Sequence, residues 1–306
     1  MSMDTRNKQQ LSGITAILTA SLLWGTTGTA ATFAPEVSPV AIGAAAMGFG
    51  GLLQALLAMR KIQQARITLQ NHLTLLCLGA LGIAVYPLAF YSSIHLSGVA
   101  IGTVVSIGAA PLFSALLEKM TGHFHFTKTW MIGMTTGLAG IALLASSESS
   151  SVMVDGSNTA NLLGILCGLI AALTYAFYSW AAHRLITSGA SSGAAMGSMF
   201  GLGGLLLMPV LYYTGAPLLA SSGNLLVGIY MAMVPMGLGY ICFGFGLAYV
   251  KASLATTLTL TEPVVATVLA VFLVGEELTS SGLTGILLIF ICLYFLTRTP
   301  KVASEE

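Results

Sequence analysis

Ten continuously apolar stretches, most of them close to twenty residues long, leave a chain of this length few ways to fold. They run over residues 11–32, 39–59, 70–93, 98–117, 129–146, 161–182, 190–213, 223–247, 252–274 and 281–297, divided by polar or turn-forming breaks. A helix needs about 20 apolar residues to cross a hydrocarbon layer roughly 30 Å thick. The runs are unbroken rather than alternating with a period of two, which argues against a membrane β-barrel. Charge removes the soluble alternatives. Only 7% of the 306 residues are charged, against about 25% in an ordinary soluble domain. A soluble enzyme, a nucleic-acid binder and a disordered chain are therefore excluded, and a net charge of +1 offers no field for phosphates. The expected class is an all-α integral membrane protein with ten transmembrane helices. The first run follows Arg6 and Lys8, but it is longer than the apolar core of a cleaved signal segment and reads as a retained span.

Basic residues orient the ten spans. With the N-terminus in the cytoplasm, Arg6, Lys8, Arg60, Lys61, Arg66, Lys119, Lys128, Arg184, Lys251, Arg298 and Lys301, all 11 of the basic residues, fall on the cytoplasmic side. Glu36, Glu148, Asp155, Glu276 and Glu277 fall in the opposite loops, which contain no Lys or Arg. This is the positive-inside distribution. It predicts cytoplasmic termini in what reads as a bacterial cytoplasmic membrane.

The chain also repeats itself. Leu22-Leu23-Trp24-Gly25 aligns with Leu173-Thr174-Tyr175-Ala176 at an offset of 151, Pro87 with Pro235 at 148, and Pro111 with Pro263 at 152; Thr127 and Gly133 align with Thr279 and Gly285, again at 152. A unit of five crossings must enter the membrane from opposite sides in its two copies, so the halves are inverted repeats, an arrangement found in many secondary transporters. The organisation expected is a cytoplasmic tail (1–10), a first repeat (11–146), an exocytoplasmic loop (147–160), a second repeat (161–297) and a cytoplasmic tail (298–306).

The Leu-Trp-Gly of span 1, the proline of span 4, and Thr261-Glu262-Pro263 followed by Gly275-Glu276-Glu277-Leu278-Thr279 resemble the drug/metabolite transporter superfamily, and within it the EamA-type members with two EamA repeats. The resemblance covers nearly the whole chain. It implies a ten-helix transporter with a central cavity lined mostly by spans 1, 3, 4, 6, 8 and 9. One departure stands out: the acidic turn after span 9 has no copy after span 4, where Gly122-His123-Phe124-His125 stands.

Glu262 is the sole formal charge inside any of the ten stretches. An acidic residue at mid-membrane costs roughly 2.5–3.5 kcal/mol on the insertion scale and faces a cavity or a partner. No Lys or Arg lies at its depth, so it is hydrated, protonated or hydrogen-bonded, Thr259 being on its face at i−3. Two roles fit: proton coupling or attraction of a cationic substrate group, and a bond to a backbone group released by Pro263. The small multidrug pumps of the superfamily carry their essential Glu in the first helix, where this chain has none. Pro87, Pro111, Pro235 and Pro263 are candidate helix bends. Trp24 and Thr27 share one face of span 1, and Tyr175 and Tyr178 one face of span 6, each pair at i, i+3. With Tyr86, Ser106 and Tyr240 they form the candidate substrate-binding set, aromatic rings with a polar tip suiting amphipathic or cationic ligands. Tyr212 and Tyr213 fit an interfacial belt. Gly98/Gly102, Gly133/Gly137, Gly164/Gly168 and Gly197/Gly201 mark close helix packing, within one chain or in a homodimer.

No catalytic residue, metal site or cofactor is expected. Cys77, Cys167, Cys242 and Cys292 lie in separate spans and suggest neither a disulfide frame nor a metal site. His123 and His125 lack further ligands, and no P-loop occurs. The leading expectation is a secondary transporter of small amphipathic metabolites, with amino acids first by resemblance. It would work by alternating access, with proton exchange or simple facilitated flux, and in the export direction. Its partners would be the small-molecule substrate and the lipid bilayer. Amines, drugs or monocarboxylates are alternative substrates, and an intramembrane enzyme or a non-transporting scaffold are rival classes.

Overall fold

The computed structural model describes residues 3–122, 124–148, 158–275 and 279–297. His123, Asp155, the Glu276-Glu277-Leu278 turn, Arg298 and Lys301 lie outside the described residues. Within them all regular structure is helical, and there is no strand. Nine helices are long and apolar enough to cross a membrane: span 1 (Asn7–Ala31), span 2 (Pro39–Leu57), span 3 (Leu73–Gly98), span 4 (Ile101–Met120), span 5 (Lys128–Ser146), span 6 (Asn158–Thr187), span 7 (Ser192–Thr214), span 8 (Ser222–Leu247) and span 9 (Ala252–Leu273). A shorter apolar helix, Ser280–Leu296, completes the set as span 10. Two short helices, Met59–Gln64 and Arg66–Asn71, join spans 2 and 3. Tyr212 and Tyr213, at the end of span 7, are among the most exposed large side chains.

Repeat-related positions start the helices in the same way. The Ser38 hydroxyl accepts from the Ala41 amide ahead of span 2, and Ser191 accepts from Ala194 ahead of span 7; Thr127 and Thr279 do the same for Trp130 and Gly282 at spans 5 and 10. Each hydroxyl satisfies one of the amides that a helix start leaves without an internal partner. Spans 3 and 4 meet at Gly98, whose φ of 84° and ψ of 161° fall in a region essentially reserved for glycine. Gly98 thus marks the kink between the two spans, and Gly102 packs closely against the backbone of Ile94.

The two halves interlock along antiparallel pairs. Span 5 lies on its own repeat mate, span 10: a Cβ on Gly140 would meet the Gly285 carbonyl oxygen at 2.8 Å, and one on Gly285 would meet that of Gly140 at 2.6 Å. Span 2 lies likewise on span 7, where a Cβ on Gly204 would meet the Gly48 carbonyl oxygen at 2.6 Å and one on Gly197 would meet the Ala58 side chain at 2.6 Å. Span 3 packs on span 6 through Gly164 against Ser97 and Gly168 against Ser93, and its counterpart pair, spans 8 and 1, meets at Gly246 against Ile17 and Gly239 against Trp24. Each contact has the partner that an in-plane two-fold relation between inverted halves requires. Glycine permits the close backbone approach on which helix association in lipid depends. Below, the face where span 1 begins and span 10 ends is the terminal face; the other is the opposite face.

Candidate functional site

Helix irregularities cluster in the middle of the bundle. Around Pro235, span 8 is π-helical over Ala232–Gly239, a form that interrupts the regular ladder and often marks functional positions. Two carbonyls in this stretch receive side-chain donors from the other half: Trp24 Nε1 donates to the Pro235 oxygen at 2.9 Å and Gln54 Nε2 to the Met236 oxygen at 3.1 Å. Span 9 is broken between Leu258 and Thr261, two residues before Pro263, and turns π-helical over Ala270–Val274. Span 4 is interrupted at Ala109, with Pro111 in the first turn of its second segment. Span 3 stays helical through Pro87, and span 7 contains a further proline, Pro209.

Beside these breaks lies a cavity of about 90 Å³. Its walls combine Trp24 and Thr27 of span 1, Tyr86 and Tyr91 of span 3, Tyr175 of span 6, Tyr240 of span 8 and Glu262 of span 9. Span 2 also contributes, through Ile42, Gly43, Ala46 and Met47; the sequence reading omitted this span because its run of small and aliphatic residues looks like plain packing. By position along their helices, the lining residues occupy the region from mid-membrane to the opposite face.

Five of the seven expected substrate-binding residues line the cavity, and two do not. Tyr178 is fully buried behind it, its hydroxyl bonded to that of Tyr240 at 2.8 Å. Ser106 is fully buried, and its hydroxyl has no hydrogen-bond partner among the described residues. The aromatic rings form one continuous cluster, Trp24 lying 4.6 Å from Tyr240 and Tyr86 lying 5.6 Å from Tyr175 between ring centroids. Their polar tips are mostly engaged. Trp24 holds the Pro235 carbonyl, Tyr175 bonds Thr259 Oγ1 at 2.9 Å, and Thr27 donates back to the Trp24 carbonyl at 2.7 Å. Thr259 therefore serves Tyr175 and, through a donated bond, the Thr256 carbonyl, rather than the Glu262 carboxylate. Among the described residues, the Glu262 carboxylate and the hydroxyls of Tyr86 and Tyr91 make no hydrogen bond, and all three side chains line the cavity.

Toward the terminal face a polar seam joins spans 4 and 9. Both oxygens of Glu118 accept from Ser253, one from its amide at 3.0 Å and one from its hydroxyl at 2.6 Å. One turn away, Thr256 donates to the Ser114 hydroxyl at 3.1 Å. Glu118 is 3% exposed, so Glu262 is not the sole carboxylate inside a span. The apolar run ends one residue before Glu118, whereas the helix continues to Met120 because the Ser253 donors accommodate the charge. Gln54, Glu118 and the cavity-lining Tyr91 are side chains that sequence reasoning passed over. A single amide in an apolar run was the available signal for the first; nothing local marks the second. No group of three or more metal-ligating side chains occurs among the described residues.

Comparison with known proteins finds the same architecture elsewhere. The chain matches the EamA-like transporter family over residues 11–146 and 162–298. It is 31% identical to the uncharacterized transporter YwfM of Bacillus subtilis over 93% of each chain. It is 28% identical to the uncharacterized inner membrane transporter YedA of Escherichia coli K12 over 89% of this chain and 86% of that one. A protein of known crystal structure superposes with a TM-score of 0.77 at 19% identity, covering 94% of this chain and 96% of the other.

Proposed function

Because the chain belongs to the EamA-like transporter family and is a membrane transporter, we propose that it moves amphipathic metabolites of the size of amino acids and related compounds by alternating access. The observation that carries this reading is the asymmetry of the centre: an aromatic cavity lies between mid-membrane and the opposite face, and the Glu118–Ser253 and Ser114–Thr256 contacts join spans 4 and 9 on its terminal side. We read these contacts as the closed gate. Opening that seam while closing the other end is the motion that inverted halves support, each half taking the conformation of the other. With the basic residues, and hence the terminal face, placed in the cytoplasm, we read the described conformation as outward-facing; net export is proposed by the family resemblance and not by this conformation.

Glu262 is the proposed coupling group. Its carboxylate lines the cavity with no hydrogen-bond partner among the described residues, so the charge has to be met by solvent, a proton or a ligand. The reading is tested with purified protein in liposomes, loaded with a panel of amino acids, amines and monocarboxylates under imposed proton and substrate gradients. Flux of at least one compound above protein-free liposomes is expected. Absence of flux across the panel under every gradient overturns the reading. With a transported compound in hand, Glu262→Gln is expected to remove the dependence of transport on the proton gradient. Retained dependence eliminates the coupling role.

A further inference from the structure

We propose that the cavity is a monoamine site, in which the ligand's ammonium group pairs with Glu262, its apolar body lies among the aromatic rings, and no carboxylate on the ligand is recognised. This rests on the transporter reading and narrows its substrate class. The first observation is a charge imbalance. Among the cavity's lining residues there is one carboxylate and no Lys, Arg or His. An unpaired carboxylate in low dielectric is costly, and a cation within contact distance offsets the cost. A ligand carboxylate would find no positive partner there and would add a second like charge.

The second observation is the disposition of the rings. Trp24, Tyr86, Tyr91, Tyr175 and Tyr240 line the same cavity as Glu262. Electron-rich faces of Trp and Tyr attract ammonium groups, most strongly where water is excluded. The indole N–H and the Tyr175 and Tyr240 hydroxyls are bonded internally, which orients these rings without offering their polar tips to a ligand. The hydroxyls of Tyr86 and Tyr91 have no partner among the described residues and remain as acceptors for ammonium hydrogens that Glu262 does not take. A cavity of about 90 Å³ is below the roughly 150 Å³ that admits a benzene ring, so a single-ring amine needs the cavity to widen on binding and a polycyclic cation is disfavoured.

The test uses three compounds that share a phenyl ring and a short chain: 2-phenylethylamine, phenylalanine and 3-phenylpropionate. Binding to the full-length protein in lipid nanodiscs is measured by calorimetry at pH 7. The amine is expected to bind at least tenfold more tightly than either carboxylate-bearing compound. Glu262→Gln is expected to weaken amine binding at least tenfold, and Glu262→Asp less than the Gln variant. Equal or tighter binding of phenylalanine or 3-phenylpropionate overturns the proposal, as does unchanged amine affinity in a Glu262→Gln protein with wild-type thermal unfolding. If the Gln variant does not fold, the wild-type rank order decides. Liposome flux separates the two readings: phenylalanine or 3-phenylpropionate carried without amine binding sinks the monoamine site and leaves the transporter standing. Amine bound but no compound carried does the reverse.

Discussion

Trp24 shows how a side chain chosen for one reason serves another. Its spacing with Thr27 marks a helix face directed at the cavity, and the ring does line that cavity. Its N–H, however, is held by the Pro235 carbonyl, 211 residues away. Local spacing reports which face of a helix a residue occupies and carries no information on such a distant partner. The same limit hid the donor role of Gln54 and left Thr259 assigned to Glu262 rather than to Tyr175. Trp24→Phe keeps an aromatic ring and leaves the Pro235 carbonyl without its donor, so it is expected to destabilise the protein by about 1–3 kcal/mol. A lower thermal midpoint in detergent, with helicity retained, is the readout; an unchanged midpoint would mean that another donor replaces the indole. Gln54→Leu is expected to act in the same direction through the Met236 carbonyl.

At the level of helices, apolar run length located the spans to within a few residues, because crossing lipid imposes a length that composition reveals directly. It failed at Glu118. A hydropathy window ends at a charge, whereas a helix continues wherever that charge meets donors, as it does at Ser253. Proline was an uneven guide: the ladder changes at Pro235 and is interrupted beside Pro111 and Pro263, yet span 3 continues through Pro87. The span 4–span 9 seam leads to a prediction. Glu118→Ala leaves the Ser253 amide and hydroxyl without their acceptor, and hydrogen bonds to charged groups contribute about 1.5–3 kcal/mol. That shifts the closed-to-open ratio at the terminal face by roughly 10–100-fold if the bonds are lost on opening. The check is the labelling rate of Thr256→Cys, in a background without the four native cysteines, by an impermeant maleimide supplied from the terminal face. Unaltered labelling in Glu118→Ala would remove the seam from the gating motion. Gly98→Ala, which forces a Cβ onto φ 84°, is expected to cost about 1–3 kcal/mol, read as a lower unfolding temperature.

For the molecule as a whole, the ten-helix plan was legible because the basic residues sort to one side of ten apolar runs, and its inversion because mid-span prolines recur at half-chain offsets. The state of the cavity was not legible, since inward- and outward-facing forms share one sequence and one set of spans. Orientation remains open to direct test: with the terminal face in the cytoplasm, tags at the two chain ends are both expected to resist impermeant reagents added to intact cells. Exposure of either tag would overturn the orientation assigned to the bundle. The pairing of spans 2 with 7, 3 with 6 and 5 with 10 also bears on synthesis. A ribosome that has delivered only the first five helices has made a molecule whose glycine seams face lipid, awaiting neighbours not yet translated. The nascent product is then a half-closed clasp, and its survival depends on how soon the remaining helices reach the bilayer.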